Sequence, residues 1–147
     1  MAEKTGHCLC GAVSFRAMEM GKHFSTCHCK SCQRWVGSAL KGISVKPDNL
    51  TIEGRENIGV YQSSEFAERA FCKKCGSAIW FRLTAGKYAG NISLPVGLLD
   101  EPNGLTMTHE YFADCKNTTD LIPDDRIQVT TTDVEKIVAD FMAEDQK

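Results

Sequence analysis

The pattern of apolar and polar positions changes character once along the chain. Up to about residue 112 the apolar residues come in short β-type runs, at 12–15, 39–45, 50–52, 60–62, 78–81 and 91–96, separated by turn residues. Lys46-Pro47-Asp48-Asn49 is such a turn, with Pro presetting φ and Asp and Asn able to bond back to the backbone; 99–104 reads the same way. Beyond Thr132 and Asp133 the period lengthens. Val134, Ile137, Val138, Phe141 and Met142 recur at i, i+3, i+4, i+7 and i+8, one face of an amphipathic helix. Thr132 or Asp133 is the expected N-cap. The spacing therefore predicts a mainly β protein of short strands with a C-terminal amphipathic helix. The apolar stripe of that helix is expected to pack on the domain or on a partner subunit, which would give a homodimer.

Length and composition add bounds. At 147 residues the chain suits one domain, and 42% hydrophobic with 24% charged residues is ordinary globular usage. No apolar run nears the ~18 residues of a bilayer span, and the N-terminal residues lack a secretory apolar stretch, so a cytoplasmic setting is expected. A formal charge of −2 argues against phosphate-backbone binding, and neither nucleic acid nor membrane is an expected partner.

The cysteines change the picture most. Seven of eight fall in three clusters: Cys8-Leu9-Cys10, Cys27-His28-Cys29-Lys30-Ser31-Cys32 and Cys72-Lys73-Lys74-Cys75. Partners so close in sequence suit a shared cation better than disulfides. Cys72-x-x-Cys75-Gly76 has the form of a zinc knuckle, and Cys8-x-Cys10-Gly11 can supply the other half of a four-thiolate structural site. Cys27, Cys29 and Cys32 then form a three-thiolate set with no obvious fourth ligand, the pattern of a zinc that keeps a position for chemistry. Two alternatives stand beside this partition. Cys29-x-x-Cys32 could join Cys72-x-x-Cys75 in a zinc ribbon, though their separation is long for one, and a redox pair would need a CxxC opening a helix in a βαβ unit. His28 could be a fourth ligand but is expected instead to be a hydrogen bonder beside the ligands or a filler. Cys115 is expected to be an ordinary thiol, while the roles of His7, His23 and His109 stay open.

These residues also carry a family resemblance. Cys8-Leu9-Cys10-Gly11-Ala12-Val13, Cys27-His28-Cys29-Lys30-Ser31-Cys32-Gln33-Arg34 with Gly37, Tyr61-Gln62-Ser63-Ser64, Arg69-Ala70-Phe71-Cys72-Lys73-Lys74-Cys75-Gly76-Ser77 and Val96-Gly97-Leu98-Leu99-Asp100 occur in family order. The chain resembles the glutathione-dependent formaldehyde-activating (GFA) enzymes and their CENP-V/GFA-domain relatives. The resemblance implies a small, tent-like β fold of short antiparallel sheets at 1–123, which leaves 124–147 as a helical extension. It implies two zinc ions per chain, a structural one on Cys8, Cys10, Cys72 and Cys75 and the reactive one on Cys27, Cys29 and Cys32. It also implies a carbon–sulfur lyase that joins glutathione and formaldehyde as S-(hydroxymethyl)glutathione. The alternative from another class is a non-enzymatic zinc module for protein interaction. Lys30, Arg34, Lys41 and Arg69 are candidate cations for the carboxylates of glutathione. One departure stands out: residues 115–120 lack the aromatic that the family carries after its histidine-containing strand, which leaves one pocket wall unassigned.

Overall fold

The computed structural model describes residues 2–145. They divide into two compact units, one ending at Lys116 and one beginning at Asn117. The first holds the strands β1 (Ala2–His7), β2 (Ser14–Met20), β3 (His23–Cys27), β4 (Leu40–Val45), β5 (Leu50–Glu53), β6 (Ile58–Gln62), β7 (Ala67–Cys72), β8 (Ala78–Leu83), β9 (Ile92–Pro95) and β10 (Thr106–Tyr111), with the short helix α1 (Lys30–Val36) between β3 and β4. One sheet runs β1-β2-β5 and the other β10-β3-β4-β9-β8-β7-β6.

The core lies where strand alternation sends apolar side chains inward. Phe15 and Ala17 of β2, Ile43 and Val45 of β4 and Ile92 and Leu94 of β9 join Val13, Leu50, Ile79, Trp80 and Leu99 in one buried cluster. Cys8 and Cys72 belong to it as well, both with no exposed surface. Leu94 is also fully enclosed. Leu94→Ala is therefore expected to cost about 2–5 kcal/mol in urea unfolding, through lost transfer energy and the cavity left behind. Gly6 is required by close packing, because a Cβ there would collide with the Leu98 carbonyl oxygen and the Phe15 ring.

The mainly β reading holds, with three differences of detail. The sheet pairs are antiparallel except β10 with β3, which run parallel. Tertiary pairing decides this, and β10 is an edge strand exposed along its whole length. The middle cysteine cluster opens a helix that the apolar pattern does not predict, α1, with Cys29 as its N-cap. The C-terminal helix α2 (Thr131–Glu144) starts earlier than the expected Thr132 or Asp133 cap, because Thr130 is the N-cap. Its hydroxyl accepts from the Asp133 N–H at 3.3 Å, and Asp133 Oδ2 accepts from the Thr130 N–H at 3.0 Å, a capping box.

Within the second unit, the Thr130 backbone N–H and then the Thr130 hydroxyl hold the Asp133 carboxyl below its ordinary range. A carboxyl depressed in this way stabilises the helix above its unfolded value, and that contribution is lost as pH falls through the folded value. Far-UV circular dichroism is expected to show a loss of helix in acid below the ordinary carboxylate range, and Asp133→Asn to remove that step. The apolar residues Val134, Ile137, Val138, Phe141 and Met142 of α2 are exposed. Among the described residues, no helix is long and apolar enough to cross a membrane.

Candidate metal centres

Each cysteine cluster is built by the end of a strand and the turn that follows it. Cys8 comes directly after β1, where its N–H donates to the Val13 carbonyl at 2.9 Å and its own carbonyl accepts from Gly11 at 3.0 Å. Cys72 ends β7, and the β7–β8 turn closes through Gly76 N–H to the Cys72 carbonyl at 2.8 Å. Gly11 and Gly76 each follow the second cysteine of a pair at φ +79°, a left-handed conformation that side chains disfavour. The two turns meet, and the sulfurs of Cys8, Cys10, Cys72 and Cys75 lie within 4.8 Å of one another. The Val13 N–H donates to Cys8 Sγ at 3.3 Å, and Ser77 Oγ lies 3.3 Å from Cys75 Sγ. The Ser77 hydroxyl, then the Ser77 backbone, hold the Cys75 thiol down to about 5.

The second cluster gathers Cys27 from the end of β3, Cys29 at the cap of α1 and Cys32 in its first turn, again with sulfurs within 4.8 Å. The Cys32 N–H donates to Cys29 Sγ at 3.3 Å, so one thiol is also the helix cap. Gln33 ties this corner together, with Nε2 donating to the His28 carbonyl at 2.6 Å and to the Cys115 carbonyl at 3.4 Å. His28 does not join the sulfurs as a ligand; its ring is buried and Nε2 lies 3.3 Å from Glu110 Oε2. Burial pushes the Cys32 thiol up to about 12, while its bond from Arg69 pulls the other way.

The seven thiols are free and grouped four and three. Such a soft donor set suits a thiolate-binding cation such as zinc, so both clusters could hold metal ions. Of the two groups, the three-thiol one lines a cavity of about 540 Å³. Phe66, Phe81, Tyr111 and Phe112 form aromatic walls there. Phe112 itself adopts φ +54°, which turns the chain at the end of β10. Tyr111 and Phe112 stand just before the 115–120 stretch that left a wall unassigned, and their place at the end of the histidine-containing strand was the available signal.

Of the four cations singled out by sequence, Lys30 and Arg69 line the cavity, and Arg34 and Lys41 do not. His109 stacks on the Tyr111 ring at 6.0 Å and lies outside the cavity lining. His7 pairs with Asp100 at 3.5 Å, and His23 is exposed on β3. Arg69 differs from the other cations in being only 6% exposed. Its Nη1 donates to Cys32 Sγ at 3.6 Å and its Nε to Ser63 Oγ at 3.2 Å.

Fold and site together define a two-sheet β domain with a closed group of four thiols and a cavity-facing group of three. The family model for the glutathione-dependent formaldehyde-activating enzymes matches residues 3–115, and the chain belongs to that family. It is 42% identical over 89 residues to an uncharacterized lyase of Schizosaccharomyces pombe, covering 59% of this chain and 63% of that protein. It is 34% identical over 83 residues to a Halomonas elongata protein provisionally named as a glutathione-dependent formaldehyde-activating enzyme, covering 51% of this chain and 53% of that protein. The chain thus spans less than two thirds of both curated relatives. A crystal structure of a Rhodobacter sphaeroides protein shares the fold, with a TM-score of 0.57 and 24% identity, covering 72% of this chain and 98% of that one.

Proposed function

We propose that the protein is a zinc-dependent carbon–sulfur lyase that makes and breaks a thiol–aldehyde adduct, with glutathione and formaldehyde the first pair to test. In this reading Cys8, Cys10, Cys72 and Cys75 hold a structural zinc, and Cys27, Cys29 and Cys32 hold the second, reactive one. The observation that carries it is that the three-thiol cluster opens into the cavity of about 540 Å³ while the four-thiol cluster is absent from its lining. Family membership supports the substrate pair.

Zinc held by Cys27, Cys29 and Cys32 would supply Lewis acidity toward the substrate thiol sulfur. The overall step adds RSH across C=O: the S–C bond forms, the carbonyl π bond breaks, and the thiol proton ends on the alcohol oxygen. No further reactant is required. The chain's own residues fix and enclose the reactants. The α1 cap orients Cys29, Gln33 clamps the loops of His28 and Cys115, and the four aromatics supply apolar surface to the cavity wall. Arg69 sets a positive charge beside Cys32.

Residues 1–123 are assigned to this activity, 124–147 to an accessory extension with α2 as a dimerisation element, and the protein to a reducing, cytoplasmic compartment. Exchange spectroscopy on an equilibrium mixture of glutathione and formaldehyde tests the reaction. Fully zinc-loaded protein is expected to speed interconversion in proportion to its concentration, and an unchanged exchange rate would rule out that pair.

A further inference from the structure

Arg69 is a buried cation with no carboxylate partner among the described residues. Alternation along β7 sends its neighbour Glu68 to the other face, where Glu68 Oε1 takes Arg82 Nε at 2.7 Å and Trp80 Nε1 at 3.3 Å. Among the described residues, no carboxylate comes within ion-pair distance of the Arg69 guanidinium. Such burial is costly unless something compensates it. Part of the compensation is aromatic: the guanidinium carbon lies over the Trp35 ring at 4.9 Å and over the ring of Phe81, its cross-strand partner, at 5.1 Å. A guanidinium has five N–H donors. Those to Ser63 Oγ and Cys32 Sγ use two, which leaves three, including both on Nη2, without an acceptor among the described residues. The residue lines the cavity.

We infer that Arg69 is a carboxylate-binding subsite in the cavity wall, so that the adduct handled here carries a carboxylate close to the carbon bonded to sulfur. The inference rests on reading this cavity as the reaction site. The remaining N–H groups lie in the guanidinium plane, and such parallel N–H groups match a planar carboxylate. One guanidinium beside three thiolates favours a monoanion over a phosphate dianion. The 3.6 Å contact with Cys32 Sγ sets the carboxylate next to the reacting sulfur and carbon. Either the thiol partner or the carbonyl partner can bring it.

The test uses the zinc-loaded full chain and the indole N–H resonance of Trp35, the ring against Arg69. Acetate is expected to shift that resonance saturably, and acetamide, its neutral isostere, to leave it unmoved. Arg69→Gln is expected to weaken acetate at least about tenfold with zinc content unchanged. No response to acetate, an equal response to acetamide, or equal affinity in Arg69→Gln would overturn the subsite. The acetate and acetamide comparison on the unmodified protein decides the matter even if the variant does not fold. Mercaptoacetate binding more tightly than mercaptoethanol assigns the carboxylate to the thiol partner, and glyoxylate binding more tightly than acetaldehyde assigns it to the carbonyl partner. Acetate binding without accelerated glutathione–formaldehyde exchange upholds the subsite and removes that substrate pair; acceleration without acetate binding does the reverse.

Discussion

Cys72→Ser is expected to lower the unfolding free energy by several kcal/mol, on the order of 5, out of the ~5–15 typical of a domain. Cys72 ends β7 and is fully enclosed, and the Cys10 sulfur that meets it at 3.8 Å is 62 residues away in sequence. The four-thiol cluster is thus the tie between the segment after β1 and the β7–β8 turn. Structural zinc contributes its binding energy directly to folding, and the serine would leave a hydroxyl in an apolar core. Urea unfolding at fixed free zinc measures the effect. A midpoint equal to that of the unmodified protein would remove the structural role assigned to this cluster.

Cys29→Ser is expected to do the opposite, sparing the fold and losing the reaction. Cys29 Sγ caps α1 by accepting from the Cys32 N–H, and serine is among the best N-cap residues, so the helix keeps its start. The same change removes one of three sulfurs from the cavity-facing cluster. Zinc content is expected to fall from two to one per chain, and the exchange rate by at least about a hundredfold. Stability is expected to change by less than about 1 kcal/mol relative to a one-zinc reference. Retained exchange with one zinc lost would place the chemistry elsewhere.

The contrast between these variants shows what a linear reading can see. Ligand spacing separates the cysteines into four and three because sulfurs two or three residues apart can share a metal, and the same seven sulfurs gather in the folded chain. α1 escaped because seven residues with Cys29 as their cap carry too few turns for a helical period to emerge. β7 was hidden by Glu68 and Arg69, charges that look wrong for a buried strand until Arg82, Trp80, Phe81 and Trp35 are brought against them from other elements. β10 pairs in parallel with a strand some 80 residues earlier, a choice that leaves no local trace. The start of α2 was legible in principle, since Thr130 and Asp133 have capping-box spacing, but the apolar period alone places the cap two or three residues too late.

The distinctive chemistry of the pocket came from such non-local meetings. Arg69 was one of four equivalent cations in the sequence; only the fold gives it two aromatic neighbours, a thiol and, among the described residues, no carboxylate partner. Phe112 became a wall through a backbone turn at positive φ, which no composition argument reveals.

The central claim is that one cluster is closed and the other open to a substrate thiol. Zinc X-ray absorption on the fully loaded protein tests it most directly. The account predicts about 3.5 sulfurs per zinc on average without substrate, rising to about 4 when glutathione is added, as the second zinc gains a fourth sulfur. A sulfur count that glutathione leaves unchanged would contradict it.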